Sequence, residues 1–495
     1  MRHFSSKTIT RIVIGIIFVA LFFYLFRLQD TQLFINDTAR DTLRALRIWQ
    51  GRELTLIGGS ASFSEKTIKE IYFGSLYLYT AIAGMSVSSF SPVGAVLPNT
   101  LLYLLSIPVF FLLAKRHSKN KFFTLFATAV FALSPVSVTH ARFFWNPNLL
   151  IPLSVFFWYL ALTPSNSKHF SLKLLSSGVL AGIMFNFHYF SVISVVLFCL
   201  YLLFSKKFDH LIYLVFGFFL GSLPLILFEL RNNFYLTNAF IYNTSHSLKN
   251  LSHEPTFYVD SFFRIFFSVF GLSHGEISFN TIVINQSFKL FLEIVFSILI
   301  IKYLFNKRRH SDLYWLWFCL FPTIIFTLYF STYDLYLRYL FVVFPLLVLF
   351  IADVLSELKY FYLSLVLFIP IIFSNLSIIT ASVNLNNNYL PLKTIEAISK
   401  KIVEDNPSGK YNITENLKGD ARSTAFRFFL LRDANVKPQD EINYGDISAL
   451  YVVSPSLEKT YQDNRWEFTA SGPKMLTQTI DFGEVKLFKF VSETK

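Results

Sequence analysis

The feature that most constrains this sequence is the recurrence of apolar runs of about 18 residues or more through its first 380 positions. A run of that length matches an α-helix that crosses the hydrocarbon core of a bilayer. The composition agrees, because 54% of the 495 residues are hydrophobic and 15% are charged, whereas ordinary soluble domains carry roughly 25% charge. The sequence therefore predicts an α-helical polytopic membrane protein and excludes a soluble enzyme, a disordered chain and a nucleic-acid binder.

Eleven segments are predicted to span the membrane. The first, 12–26, is an uncleaved N-terminal anchor, because basic residues precede it and no small-residue cleavage site follows it. The other ten lie near 96–114, 122–140, 147–163, 172–187, 190–204, 209–227, 285–305, 312–331, 337–355 and 360–380. A further apolar stretch, 71–90, is weaker because glycine, serine and tyrosine interrupt it.

Basic residues between the spans indicate how the chain is threaded. Lys and Arg near span ends stay on the cytoplasmic side. The basic clusters at 115–121, 168–173, 206–207 and 302–309 all fall inside only if 71–90 does not cross. We therefore predict that 71–90 is interfacial or re-entrant, and that the protein lies in the plasma membrane with its N-terminus in the cytoplasm.

This threading divides the chain into two predicted domains. Residues 1–380 form a multi-span membrane domain, with a first outer loop at 30–95 and a long outer loop at 228–284. Residues 381–495 form a small extracytoplasmic α/β domain, because helix-like and strand-like patterns alternate there. The predicted elements of this tail are 391–405, 410–414, 421–434, 449–454 and 485–490.

The net charge of +13 belongs wholly to the membrane domain, because the tail carries 15 basic and 15 acidic residues. The excess therefore reflects membrane orientation, not a polyanionic partner such as a nucleic acid.

Polar residues of the membrane domain gather where predicted spans end on the outer side, not at the bilayer midplane. A polar residue at membrane depth costs a few kcal/mol, so this placement is informative. A carboxylate among arginines at a membrane surface suits chemistry on a phosphate-bearing lipid, because the carboxylate can take a proton while guanidinium groups hold the phosphate. The candidate residues are Asp37, Arg40, Asp41, Arg142, Asn146, His188, Arg231 and Arg338.

Most of these residues also have a structural explanation. Asp37 could be a helix N-cap or an ordinary acidic residue at a helix start, His188 could be a hydrogen-bonded helix end, and Arg338 could be an interfacial anchor. Arg142 is harder to explain in this way, because arginine is uncommon in the short outer loops. The sequence contains no metal-ligand spacing, Walker loop or GxSxG motif, so it predicts no metal site and gives no support to nucleotide hydrolysis or a serine-hydrolase mechanism.

The outer-loop motifs resemble those of the GT-C membrane glycosyltransferases of family 39, which include protein O-mannosyltransferases and lipid A aminoarabinose transferases. The family's Asp-x-x-Arg motif is matched by Asp37-Thr38-Ala39-Arg40, and 74–79, Gly-Ser-Leu-Tyr-Leu-Tyr, looks like its interfacial helix. The segment 142–147 looks like its second outer loop. The resemblance covers about residues 10–350.

Two positions depart from the family pattern. Asn146 stands where some members carry a second acidic residue. Phe73 stands where aminoarabinose transferases carry a lysine, which argues against aminoarabinose transfer.

The resemblance implies a GT-C fold and an inverting transfer of a sugar from a polyprenyl-phosphate donor to an extracytoplasmic acceptor. Asp37 would activate the acceptor, and no cofactor is implied beyond the lipid-linked donor. Arginines would hold the donor phosphate, with Arg40, Arg231 and Arg338 as candidates in that order. The other substrate-binding candidates are Asp41, Arg142, Asn146 and His188. The sugar stays open, and the acceptor could be a protein, a glycolipid or a polysaccharide.

Two other classes of protein compete with a transferase. A lipid-linked sugar or polysaccharide flippase, or another transporter, tends to have repeated halves and polar groups near mid-bilayer, and this sequence has neither. A membrane scaffold would leave the Asp/Arg cluster of the first outer loop unexplained. We therefore rank the enzyme first, the transporter second and the scaffold third.

Overall fold

A computed structural model describes residues 5–60, 69–164, 167–247, 255–273, 286–305, 314–330, 335–358, 360–381, 390–405, 407, 409–417, 422–472 and 474–492. The membrane-domain helices are α1 Ser6–Leu25, α2 Leu28–Thr31, α3 Asn36–Gly51, α4 Leu76–Ser86, α5 Pro92–His117, α6 Lys121–Leu133, α7 Pro135–Ala141, α8 Leu150–Ala161, α9 Phe170–Phe187, α10 Ser191–Phe204, α11 Phe208–Gly221, α12 Leu223–Arg231, α13 Tyr235–Ser247, α14 Pro255–Ser268, α15 Gln286–Phe305, α16 Tyr314–Phe330, α17 Phe344–Ser356 and α18 Phe368–Thr380. Three 3-10 helices precede α8, α17 and α18, at Asn146–Leu149, Leu337–Val343 and Phe361–Leu367.

Each predicted span coincides with one of these helices or with a consecutive pair. By length and apolar composition, five helical segments of the described residues can cross a bilayer, and two bent pairs raise the number to seven. The five are Ser6–Leu25, Pro92–His117, Phe170–Phe187, Leu337–Ser356 and Phe361–Thr380. The bent pairs are α6 with α7, at 43°, and α11 with α12, at 62°. The polytopic helical architecture is confirmed, and the threading through eleven spans stays a prediction.

The segment 71–90 forms a short strand and helix α4, which has 11 residues. Such a helix is about 16 Å long, roughly half the thickness of the hydrocarbon core. Its length therefore agrees with the prediction that this segment does not cross the membrane.

Helices α9 and α11 pack closely because glycines face each other across the contact. A Cβ on Gly182 would lie 2.3 Å from the Phe218 carbonyl oxygen, and one on Gly217 would lie 2.2 Å from that of Leu175. Gly178 and Gly221 meet the partner backbone at similar distances. This contact fixes the C-terminal end of α9, next to which the candidate residue His188 lies.

The first outer loop is tied together around an antiparallel strand pair, β1 Ile57–Ser60 and β2 Tyr72–Gly74. Arg44 of α3 donates to the carbonyl of Gly58 at 2.6 Å and to that of Ile57 at 3.3 Å. The Gly59 amide donates to the Tyr77 hydroxyl of α4 at 2.8 Å. These bonds hold α3, β1 and α4 as one unit.

The tail is a small α/β domain, as predicted. Its sheet has the order β3-β4-β6-β5, with β3 and β4 parallel and the other pairs antiparallel. Its elements are α19 Leu392–Asp405, β3 Tyr411–Glu415, α20 Thr424–Asp433, β4 Ala449–Ser454, α21 Leu457–Tyr461, α22 Trp466–Thr469, β5 Lys474–Asp481 and β6 Lys486–Ser492. The sequence prediction missed β5, an edge strand whose residues are largely exposed and so carry little apolar alternation.

The tail packs against α3 and the residues that precede it. The Phe34 ring lies 5.5 Å from that of Phe428 and 6.1 Å from that of Phe429, both on α20. Arg47 of α3 pairs with Glu441 at 3.0 Å. Helix α3 is therefore held between the membrane domain and the tail.

Candidate active site

Asp37 lies in the first turn of α3, where the positive end of the helix dipole favours a carboxylate. The N-cap of this helix is Ile35, in extended conformation and without a side-chain cap bond. Asp37 is therefore not the N-cap, but the other structural explanation, an ordinary acidic residue at a helix start, agrees with its position.

Both carboxylate oxygens of Asp37 have a donor. Oδ1 lies 2.7 Å from the Arg40 guanidinium, and Oδ2 accepts a hydrogen bond of 3.2 Å from the indole Nε1 of Trp145. The side chain remains 37% exposed. Because a carboxylate has about four acceptor positions, Asp37 is oriented by these donors and still has capacity to accept a proton.

Arg40 also pairs with Asp41, through Nε and Oδ1 at 2.8 Å. Asp41 is fully buried, so it orients Arg40 and does not face the solvent. Burial raises the pKa of Asp41, and the neighbouring Arg40 opposes that shift. Burial alone would lower the pKa of Arg40, but the carboxylates of Asp41 and Asp37 raise it above its usual value, so this guanidinium stays charged.

The strand β1 comes unusually close to this ion pair. A Cβ on Gly59 would lie 2.6 Å from a terminal nitrogen of Arg40 and 2.7 Å from Asp41 Oδ1. Glycine at this position therefore lets the strand cover the pair. Arg44 does not take part in this ion pair, because its guanidinium donates to the carbonyls of β1.

Arg338 joins the cluster through aromatic rings. Its guanidinium carbon lies 5.4 Å from the ring centre of Trp145, 4.5 Å from that of Tyr336 and 5.6 Å from that of Tyr339. Distances of this size are typical of cation–π attraction. Trp145 thus contacts Asp37 with its N–H and Arg338 with its ring.

His188 lies just beyond the end of α9 and is buried behind Arg338. Its ring stacks on Phe73 with a centroid distance of 5.4 Å and lies 5.7 Å from Tyr339. Burial and the charge of Arg338 lower the pKa of His188 to about 3, so the imidazole is neutral at physiological pH. It therefore packs behind Arg338 as an uncharged ring.

Arg142 and Asn146 are buried and bind backbone groups of other elements. Arg142 donates to the carbonyls of Phe23 and Phe26 at the end of α1 and to the Thr31 hydroxyl. Asn146 donates to the Phe187 carbonyl at 2.6 Å. Helix ends leave carbonyl groups without hydrogen-bond donors. Arg142 and Asn146 supply such donors and so brace the loop between them against the ends of α1 and α9.

Arg231 lies exposed at the end of α12. Across the described part of the chain, no hydrogen bond or ion pair connects it to Asp37, Arg40 or Arg338. Its neighbour Glu229 instead accepts from the Leu236 amide at 2.8 Å, at the beginning of α13. The contacts therefore bring together Asp37, Arg40, Asp41, Arg338 and His188, with Arg142 and Asn146 bracing the adjacent loop.

The sequence pattern did not single out Trp145, Tyr336 or Tyr339 as site residues. Tryptophan and tyrosine are both common at membrane interfaces, where they serve as ordinary anchors. The available signal was their spacing, because both tyrosines lie within two residues of Arg338. Within the described ranges, no group of three or more His, Cys, Asp or Glu residues could hold a metal ion.

Comparison with known proteins gives the fold a name. ArnT from Cupriavidus metallidurans, solved with undecaprenyl phosphate, aligns with a TM-score of 0.64 at 12% identity, over 97% of this chain and 98% of that chain. Its apo form aligns with a TM-score of 0.61, at the same identity and coverage. The chain has a GT-C fold. The oligosaccharyltransferase of Archaeoglobus fulgidus, solved in complex with Zn and sulfate, aligns with a TM-score of 0.50 at 12% identity, over 90% of this chain and 68% of that one.

The sequence comparison agrees with this fold. Residues 75–229 match the family model of the dolichyl-phosphate-mannose-protein mannosyltransferases. No curated protein matches the sequence. The resemblance to GT-C glycosyltransferases is therefore confirmed. The matched segment includes Arg142, Asn146 and His188 but begins after Asp37 and Arg40. The roles of all these residues stay predictions.

Proposed function

We propose that this GT-C protein transfers a sugar from a polyprenyl-phosphate donor to an extracytoplasmic acceptor, with Asp37 as the base. The observation that carries the proposal is the geometry of Asp37. Arg40 and Trp145 fix its two oxygens, the side chain remains partly exposed, and the ring of the same Trp145 contacts Arg338.

The chemistry requires a base at the acceptor. A hydroxyl group has too high a pKa to attack unaided, so a carboxylate takes its proton as the new bond forms. The acceptor oxygen bonds to the anomeric carbon, the bond from that carbon to the phosphate oxygen breaks, and its electron pair leaves with the polyprenyl phosphate. A single displacement of this kind inverts the anomeric centre and needs one carboxylate, which Asp37 supplies.

The departing phosphate requires a cation close to the base. Arg338 is our first candidate, because its guanidinium lies over the same indole ring that contacts Asp37. Arg40 is the second, because it already pairs with both Asp37 and Asp41. The sequence analysis placed Arg40 first, Arg231 second and Arg338 third. The contacts now favour Arg338 over Arg40. The undecaprenyl phosphate bound to ArnT supports a lipid phosphate as the ligand.

The proposed orientation follows from the basic loops. The N-terminus and the Lys/Arg clusters between spans lie in the cytoplasm, and the Asp37 cluster and the tail face outward from the plasma membrane. The acceptor is then a protein, a glycolipid or a polysaccharide on the outer side, and the tail lies beside α3 where it can help to position that acceptor.

The test compares wild type with Asp37→Asn in proteoliposomes that contain polyprenyl-phosphate sugars and a cell-envelope extract as acceptor. The matched control is Asp30→Asn, because Asp30 is 35% exposed but pairs with Lys393 of the tail at 2.7 Å, away from the cluster. We expect Asp37→Asn to abolish release of free polyprenyl phosphate and Asp30→Asn to retain it. Undiminished transfer by Asp37→Asn would exclude this residue as the base.

A further inference from the structure

The loop that carries Trp145 is braced on both sides. Arg142 ties it to the end of α1, and Asn146 ties it to the Phe187 carbonyl at 2.6 Å. Asn148 bridges the same loop, with its Oδ1 2.8 Å from His140 Nδ1 and its Nδ2 donating to the Phe143 carbonyl at 2.8 Å. The backbone at Trp145 is therefore held by three separate elements.

The indole ring itself is also held. It lies nearly parallel to the ring of Phe143, with a centroid distance of 6.0 Å and an interplanar angle of 22°. The indole ring is also nearly parallel to the His140 ring, with a centroid distance of 6.5 Å and an interplanar angle of 21°. With the ring plane set by these neighbours, Nε1 is directed at Asp37 Oδ2 and a ring face is available to Arg338.

We propose that Trp145 is a positioning residue with two separable tasks, one performed by its N–H and the other by its ring. The N–H fixes the orientation of the Asp37 carboxylate, because Arg40 holds Oδ1 and Trp145 holds Oδ2. The ring holds the Arg338 guanidinium by cation–π attraction, 5.4 Å from the ring centre. This inference rests on the proposed function, in which Asp37 is the base and Arg338 meets the donor phosphate.

Two substitutions separate the tasks. Trp145→Phe keeps an aromatic face and removes the N–H, so we expect kcat to fall about tenfold or more, as the loss of a hydrogen bond to a charged group predicts. The KM for the lipid donor should stay near the wild-type value. Trp145→Leu removes both the N–H and the ring, so kcat should fall and donor KM should also rise.

Trp49 provides a matched control pair. It lies on α3, the helix that carries Asp37, is 51% exposed and contacts Phe90 at a ring distance of 5.4 Å. Trp49→Phe and Trp49→Leu repeat the same side-chain changes away from the cluster. Both should leave kcat and donor KM unchanged.

The experiment measures kcat and donor KM in proteoliposomes, and the binding of polyprenyl phosphate to the purified full-length protein without turnover. Trp145→Phe should bind polyprenyl phosphate as wild type does, and Trp145→Leu should bind it several-fold more weakly. Equal effects of the two variants on kcat, KM and binding, or no effect of Trp145→Phe on kcat, would overturn the proposal.

The binding measurement keeps the inference separate from the proposed function. If the wild type binds polyprenyl phosphate but transfers no sugar, the proposed function fails. The binding measurement still tests the role of the Trp145 ring in that case. Equal binding of polyprenyl phosphate by Trp145→Leu and Trp145→Phe would overturn that role.

Discussion

At the residue scale, Arg40 and Arg142 show how one functional group acquires two roles. Arg40 pairs with two carboxylates of its own helix, Asp37 and Asp41. Arg142 donates to the carbonyls at the end of α1. Because 116 residues separate Arg142 from Phe26, no local sequence pattern could indicate this contact. The sequence alone suggested a contact with the substrate for both residues.

This difference gives a prediction for Arg142→Gln. The variant loses hydrogen bonds from a buried guanidinium to two carbonyls and a hydroxyl, a loss of roughly 1–3 kcal/mol in the free energy of unfolding. We expect a lower melting temperature in detergent and an unchanged donor KM. Arg40→Gln is the comparison, and it should lower kcat because it removes the partner of Asp37 Oδ1. A raised donor KM in Arg142→Gln at full stability would contradict the structural role.

The cluster around Asp37 could be predicted from sequence only in part. The spacing of Asp37 and Arg40 puts them one helical turn apart, and the structure pairs them at 2.7 Å. Trp145 was missed as a ligand of Asp37 because 108 residues separate them and a tryptophan at a membrane interface needs no further explanation. Local spacing thus predicts contacts within α3 and not those that join α3 to other loops.

At the element scale, the contact between α9 and α11 depends on glycine. Backbone atoms of one helix occupy the space that a side chain at Gly178 or Gly182 would need. In a bilayer, where lipid tails are as apolar as leucine, such close backbone approach is a principal source of helix association. The contact holds the C-terminal end of α9, from which Phe187 and His188 reach the site.

We therefore expect Gly182→Ala to destabilise the protein. Its Cβ would lie 2.3 Å from the Phe218 carbonyl oxygen and 2.6 Å from the Ser222 amide nitrogen, so the two helices must separate. Overpacking of this kind typically costs about 1–3 kcal/mol. The measurement is the melting temperature of purified protein in detergent.

Gly15→Ala is the matched control, because Gly15 is also helical and has nothing within 4 Å of its Cβ position. It should be neutral or slightly stabilising, since alanine favours a helix over glycine by roughly 0.5–1 kcal/mol. Equal melting temperatures for Gly182→Ala and Gly15→Ala would show that the glycine contact has no energetic importance.

Helices and strands were predictable to the degree that burial leaves a periodic pattern. Apolar runs located the membrane helices, and the tail elements at 391–405 and 449–454 match α19 and β4 closely. The break between α6 and α7 was not predicted, although Ser134 caps the Val136 amide at 3.3 Å and Pro135 begins the new helix. A single apolar run therefore concealed a 43° bend.

At the scale of the whole molecule, the tail is joined to the site through α3. The Phe34 ring is 1% exposed and packs edge-on against Phe428 and Phe429 of α20. Sequence could predict that the tail folds as an α/β domain, but not where it docks, because almost 400 residues separate Phe34 from its partners. The position of Asp37, three residues after Phe34, thus depends on a distant part of the chain.

This dependence predicts the effect of Phe34→Ala. Removal of a buried phenylalanine typically costs about 3–5 kcal/mol, and here the loss falls on the contact between α3 and the tail. We expect a lower melting temperature together with a lower kcat, because the start of α3 loses its packing. The control is Phe468→Ala, which removes a ring that packs edge to face against Phe490 within the tail, with a centroid distance of 5.8 Å. A kcat that falls equally in both variants would argue against a specific connection between the docking contact and Asp37.

The proposed sugar transfer is tested most directly by offering a panel of donors to the wild-type protein in proteoliposomes. Polyprenyl-phosphate sugars of different identity are supplied with a cell-envelope extract, and free polyprenyl phosphate is measured by mass spectrometry. We expect at least one donor to be converted to free polyprenyl phosphate, and Asp37→Asn to abolish the conversion. If the wild-type protein binds polyprenyl phosphate but leaves every donor of the panel intact, that result would contradict the transferase function.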